Sequence, residues 1–417
     1  MKKKPHVTGA VQALLPDRAV RAMREYFRLE AAGGILLIAA AALALIFANS
    51  PLQEFYDGFR QIPVQMRIGA LEIAKPLLLW INDGLMALFF LLVALEIKRE
   101  ALSGELSSRA QITLPMICAV AGVAVPAGIY WALNAGDAVA MQGWAVPAAT
   151  DIAFALGILS LLGSRIPLGM KVLLSTIAVV DDLMAIVIIA IFYTSDLSMA
   201  ALAGAVATIA LMALLNRRGV TALTPYLLLG IVMWVCVLKS GVHATLAGVA
   251  TGLLIPHVNR RHRAPEETDY SPLEYLEHAL HPWVAYVILP LFAFANAGLA
   301  LGGFGVGDLL GTVPLGIALG LVLGKPIGIV GAALIARAIG IARFPDGMDF
   351  KAMLGVGLLC GVGFTMSLFI SGLAFSDDGD VFEASVLGVL MASTVAAVLG
   401  YLWLRAVMPS RPARPEA

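Results

Sequence analysis

Two adjacent carboxylates, Asp181 and Asp182, lie near the middle of KVLLSTIAVVDDLMAIVIIAIFY, residues 171–193. From Val172 to Tyr193 this stretch is apolar and, at ~1.5 Å per helical residue, long enough to cross a bilayer. An ionised Asp at the bilayer centre costs at least ~2.5–3.5 kcal/mol on insertion scales. A chain that places two side by side there is expected to use them, and whatever fold it adopts must supply them with partners.

The whole chain is built for that environment. Of its 417 residues, 60% are hydrophobic and 13% charged, whereas a soluble domain is nearer half apolar and a quarter charged. Apolar windows recur at 31–48, 77–101, 113–134, 139–161, 168–193, 199–216, 223–238, 241–256, 273–297, 314–336, 352–375 and 383–407. The expectation is an all-α polytopic membrane protein of about twelve transmembrane helices. It has a cytoplasmic arm over 1–30, a membrane domain over 31–407 and a cytoplasmic tail over 408–417. Lys2, Lys3, Lys4, Arg18, Arg21, Arg24 and Arg28 crowd the arm, a basic region too long for a signal peptide. An even number of spans puts both termini on one side. Of the joints on the other side, only Arg60, Arg67, Lys75 and Lys239 are basic. The positive-inside rule then places both termini in the cytoplasm. Cys118, Cys236 and Cys360 sit inside apolar windows and read as packing residues.

The long outer joint 51–76 contains PVQMRIGALEIAK, which alternates about Gly69 as a small periplasmic β-hairpin would. Its edge suits pairing with a second copy; a tucked-in surface loop fits the same residues.

Two spans look interrupted. Pro147 and the pair Thr150–Asp151 break one, and Gly361, Gly363 and Thr365 break another. Unwound backbone at membrane depth survives only inside protein or beside a water-filled cavity. Each broken span is second in a triplet, 113–193 or 314–407, the pattern of inverted-repeat transporters. Lys325 falls in mid-span, too deep to snorkel, and a buried amine must pair or lose its proton. Asp181 and Asp182 point about 100° apart on a helix, so one can pair with Lys325 while the other faces a cavity with Asp151. Carboxylates with Thr150 and backbone carbonyls suit a hard cation. Protons would compete for the same oxygens as a coupled set. Other classes fit less well. An intramembrane aspartyl protease also buries two Asp residues but leaves Lys325 without a role. A channel fits the spans alone, and a sodium-coupled organic-anion symporter needs cationic or roomy polar lining that Lys325 alone does not provide.

The segments 81–100, 145–157, 178–186, 240–249, 276–298, 323–329 and 361–370 resemble the NhaA family of Na⁺/H⁺ antiporters, with similarity over about residues 30–405. That family is itself a standard example of the inverted-repeat principle. The resemblance implies two discontinuous helices crossing at the membrane midplane of a bacterial inner (plasma) membrane. It also implies exchange of Na⁺ or Li⁺ for about two H⁺ under pH regulation, for Na⁺ extrusion and pH homeostasis. Asp182 then matches the main cation and proton ligand, with Na⁺ shared with Asp151 and Thr150 beside them. Asp181 matches the partner of the buried lysine, Lys325, and His243 a histidine tied to pH response. Glu96, Glu100, Glu277 and His278 match a cation funnel and pH sensor. From spacing alone, Glu96 and Glu100 describe a solvated helix end, and His243 a packing histidine. The family pattern has a basic residue near Glu274 and Tyr275, where this chain has none. Neither enzyme chemistry, a cofactor nor a nucleic-acid partner is expected. The partners are Na⁺, Li⁺, H⁺, the lipid bilayer and, through 51–76, a second copy.

Overall fold

The computed structural model describes residues 17–408 except 70, 105–108, 195–196, 259–270 and 346. Lys2, Lys3, Lys4, Arg260, Arg261, Arg263, Arg411 and Arg414, which carry much of the charge asymmetry, lie outside the described residues. So do 1–16 of the arm and 409–417 of the tail.

The described chain is helical except for one hairpin. Seven helices are long and apolar enough to cross a bilayer: Leu77–Ser103, Ile112–Asn134, Leu168–Phe192, Met199–Arg217, Pro272–Gly303, Thr312–Ala338 and Gly379–Val407. The first window belongs to a single helix, Asp17–Ala48, which also takes in much of the basic arm. The two expected interruptions are present. A 3₁₀ segment, Ala140–Ala148, meets the helix Ile152–Leu161 at 41°, and Phe350–Cys360 meets Phe364–Ala374 at 42°. Both triplets therefore run long helix, broken helix, long helix.

Two windows differ from expectation. The stretch 241–256 yields a helix only over Leu246–Leu254. Its first residues form a turn, in which Gly241 takes φ +81 and the Ser240 hydroxyl donates to Val237 O at 2.8 Å. The joint 51–76 opens with an unexpected helix, Gln53–Gln61, bent 113° from the one before it. Tyr56 anchors that helix, its hydroxyl donating to Phe294 O at 2.6 Å and accepting from Gly298 N at 3.1 Å. The hairpin follows: β1 (Pro63–Ile68) pairs antiparallel with β2 (Leu71–Pro76), in the register Ile68↔Leu71 to Pro63↔Pro76. Gly69 at its tip has φ +60, the left-handed conformation glycine tolerates.

Helices approach closely where side chains are smallest, as expected when lipid gives little hydrophobic drive for helix association. A Cβ on Gly34 would lie 2.7 Å from Ala153 O and 2.8 Å from Gly157 Cα. Gly248 backs onto Ala87 O in the same manner. The buried residues fall into two clusters. The smaller gathers residues of Met199–Arg217, Leu223–Leu238 and Leu246–Leu254 around Leu91 and Leu95. The larger surrounds the central helix Leu168–Phe192, whose apolar window is 67% buried against 17% for Met199–Arg217. The paired carboxylates are thus on the most enclosed of the seven long helices.

Candidate functional site

The central helix starts after Pro167 and carries Asp181 and Asp182 into the interior, at 1% and 2% exposure. Lys325 reaches the same depth with no exposed surface. It follows directly on a π-helical turn, Gly320–Gly324. Pro326 lacks the N–H that would close the regular ladder there, a sufficient cause for the local widening. Lys325 Nζ donates to Asp181 Oδ2 at 2.6 Å. The Thr150 hydroxyl lies 2.7 Å from the same oxygen and 2.9 Å from Cys360 O, with one proton to give. Asp181 Oδ1 is buried and has no hydrogen-bond partner among the described residues.

Asp151 sits where the two broken helices cross. It caps Ile152–Leu161, with Oδ1 accepting from Phe154 N at 2.9 Å. Its Oδ2 accepts from Thr365 N at 3.0 Å and Thr365 Oγ1 at 2.5 Å, at the start of Phe364–Ala374. One carboxylate thereby serves the positive ends of two half-helices. The breaks also satisfy each other's backbone: Asp151 N donates to Val362 O at 2.7 Å. Beside Pro147, Val146 O accepts from Ser367 Oγ at 2.7 Å. Gly361 is required by close approach, since a Cβ there would meet Leu321 O at 2.4 Å; at Gly363 it would meet Ser367 Oγ. The sequence grouped Thr150 with Asp151, whereas Thr150 serves Asp181 and Thr365 serves Asp151. That exchange of partners is invisible in spacing, because it depends on how the breaks cross.

Asp182 takes no part in the ion pair. Its Oδ1 is buried and has no hydrogen-bond partner among the described residues, and it feels the charges of Asp181, Asp151, Glu96 and Lys325. Hard oxygen donors left open beside a fixed ammonium form an arrangement that a small cation or protons can complete.

The remaining candidates divide between two ends of the molecule. Arg99 Nε donates to Glu277 Oε1 at 3.0 Å, and its Nη2 lies 3.0 Å from Glu100 Oε1. Glu277 is buried at 4% exposure. Lys98 donates to Leu253 O and Ile255 O, satisfying the carboxyl end of the short helix Leu246–Leu254. His278 is exposed and pairs with Glu274 O at 2.7 Å. Glu96 is half-buried one turn before Glu100. His243 is elsewhere, in a cavity with Lys75 and Asp83, its ring edge-on to Phe369 at 5.8 Å. The sequence reading missed Asn82 and Asp83 as interior polar groups, although the INDG run opening an apolar window was a usable signal. The Gly-x-Gly-Asp letters of the intramembrane aspartyl protease signature, expected to be absent, do occur at 305–308. Asp308 is exposed there and accepts from Gly305 N at 2.7 Å, closing its own turn.

Comparison with known proteins agrees with this architecture. The sodium proton antiporter MjNhaP1 from Methanocaldococcus jannaschii shares the fold, with TM-score 0.53 and 16% identity over 93% of this chain and 99% of that one. The Na⁺/H⁺ antiporter NhaA of Shewanella oneidensis is 55% identical over 394 residues, 94% of this chain and 99% of that protein. Its counterpart in Aeromonas salmonicida is 56% identical over 392 residues, 94% and 97% respectively. The model of the family described as Na⁺/H⁺ antiporter 1 matches residues 24–404. With that match spanning nearly the whole chain, this multi-pass membrane protein belongs to the NhaA family of Na⁺/H⁺ antiporters.

Proposed function

We propose that this protein exchanges Na⁺ or Li⁺ for H⁺ across the bacterial inner membrane, with both termini in the cytoplasm. Asp182 is the shared cation and proton ligand, with Asp151 at the cation's second side. The observation that supports this reading most is the contrast between neighbours. The Oδ1 of each carboxylate has no partner among the described residues, but Asp181 is held through its Oδ2 by Lys325 and Thr150, whereas no ion pair among the described residues holds Asp182. An ionised carboxylate in that position needs a cation or a proton. Competition between the two for one alternately exposed site is sufficient for exchange.

The stoichiometry we propose is about two H⁺ per Na⁺, hence electrogenic, with Asp181 as the second titrating group through its pairing with Lys325. Regulation by pH is assigned to Glu96, Glu100, Glu277 and His278 around Arg99, with His243 at the opposite end. A second copy is proposed to pair through the hairpin in 51–76. The test is reconstitution into acid-interior liposomes with a ΔpH-sensitive dye. Addition of Na⁺ or Li⁺ should collapse the gradient and K⁺ should not. A dye signal indifferent to all three cations refutes the reading.

A further inference from the structure

One cluster of charged and polar groups is not used by the exchange described above. Where the hairpin meets the helix ends, a cavity of about 300 Å³ is lined by Lys75 of β2, Asn82, Asp83, Tyr193, His243 and Phe369. Asp83 is its only carboxylate among the described residues. The cavity lies along the same helix faces as the cation site. Tyr193 follows Asp182 by three helical turns, ~16 Å on the same side of the central helix. Phe369 follows Thr365 by one turn. Its ring is buried at 3% exposure and packs against Phe90, Phe292 and His243. Phe369 thus belongs both to the wall of the cavity and to the half-helix that starts at the site. The Arg99–Glu277 cluster belongs to the opposite end, since Arg99 is sixteen residues, ~24 Å, from Asp83 along one helix.

Lys75 Nζ donates to Asp83 Oδ2 at 2.7 Å, with the lysine side chain 33% and the carboxylate 15% exposed. The carboxylate is the fixed partner. Its backbone carbonyl accepts from Trp234 Nε1 at 3.1 Å, and neighbouring Asn82 exchanges two hydrogen bonds with buried Asn296. The ammonium is a compact charge on a flexible stem, brought in by a hairpin strand that Lys239 ties down at Glu72 O. A part-exposed pair of this kind is worth ~0.2–1 kcal/mol, little enough for an arriving cation to open.

We propose that Asp83 is a relay carboxylate for the transported cation on the hairpin side, and that Lys75 is a tethered competitor that occupies it until a cation displaces it. The hairpin thereby sets the apparent cation affinity of one face of the transporter only. This rests on the antiport reading above. The test measures Na⁺-dependent proton flux in membrane vesicles of both orientations, with the hairpin face identified by labelling a Gln65→Cys variant. Lys75→Gln should lower the Na⁺ KM on the hairpin face by about 1.4- to five-fold, the span set by the energy of such a pair. The KM on the other face should stay where it was. Lys75→Arg should stay near the wild type. Asp83→Asn should raise the hairpin-face KM, and adding Lys75→Gln to it should change nothing further. Equal shifts on both faces, no shift at all, or a Lys75→Gln effect that persists beside Asp83→Asn would overturn the proposal while leaving antiport intact. A wild type without exchange on either face would overturn both.

Discussion

Removing the charge of Lys325 or of Asp181 alone should destabilise the protein far more than removing both. The two side chains meet at 2.6 Å with no exposed surface on either. Breaking a buried pair by deleting one member costs ~3–5 kcal/mol in proteins generally, because the other charge is stranded; replacing both together is often close to neutral. The structure refines this estimate. Lys325→Met keeps the stem's volume, so cavity formation adds little, and among the described residues it leaves Asp181 with only the Thr150 hydroxyl. Asp181→Asn keeps the shape and can still accept from Thr150, but it strands an ammonium. Each single variant should therefore lower the thermal midpoint in detergent. The Lys325→Met/Asp181→Asn double should recover most of the loss, with a coupling energy of about 3 kcal/mol or more in the double-mutant cycle. Strict additivity of the two losses would refute the reasoning and require that Lys325 be stabilised by another group.

Asp182→Asn preserves shape but removes both the proton site and the anionic ligand; flux should vanish while the thermal midpoint holds. Measurable Na⁺-dependent flux in that variant would mean the ligand is misassigned. Thr365→Val deletes the hydroxyl that donates to Asp151 Oδ2, a bond to a charged acceptor worth ~1.5–3 kcal/mol. The Na⁺ KM should rise about tenfold or more, and an unchanged KM would exclude Thr365 from the site. Two H⁺ per Na⁺ predicts that a potential clamped with valinomycin drives Na⁺ movement, whereas flux indifferent to voltage would leave exchange electroneutral. Gly34→Leu would push a side chain into Ala153 O and Gly157, so its midpoint should fall by the equivalent of ~1–3 kcal/mol. An unaffected midpoint would show that these helices part freely.

Much of this fold is legible because the bilayer restricts the alternatives. Apolar windows must be helices, and Pro147 or Gly361 in mid-window marks where regular hydrogen bonding stops. The hairpin is legible from alternation about Gly69. The helix Gln53–Gln61 had a signal that was overlooked, since Leu52, Tyr56 and Phe59 recur at helical spacing; the carbonyls some 240 positions away that hold its single buried residue, Tyr56, could not be read from sequence. The turn before Leu246 was hidden because an apolar window begins at Gly241, before the helix does. At the site, the 100° offset of Asp181 and Asp182 dictates two faces, but nothing in the offset says which face meets Lys325. Nor does spacing separate Thr150 from Thr365 as the partner of Asp151. Those choices depend on a tertiary crossing, and the π turn before Lys325 helps to aim it.

The crossing of the two breaks also bears on how the chain is made. The amide of Asp151 finds its acceptor at Val362 and the carbonyl of Val146 its side-chain donor at Ser367, more than two hundred residues later in synthesis. Until that second broken span leaves the ribosome, the first has polar backbone at membrane depth with nothing to bond, and each such group costs several kcal/mol in hydrocarbon. The amino-terminal triplet must therefore wait at the translocon, at the interface or around trapped water until its counterpart arrives. The two breaks then enter their final depth together, and biogenesis is completed by the carboxyl-terminal triplet.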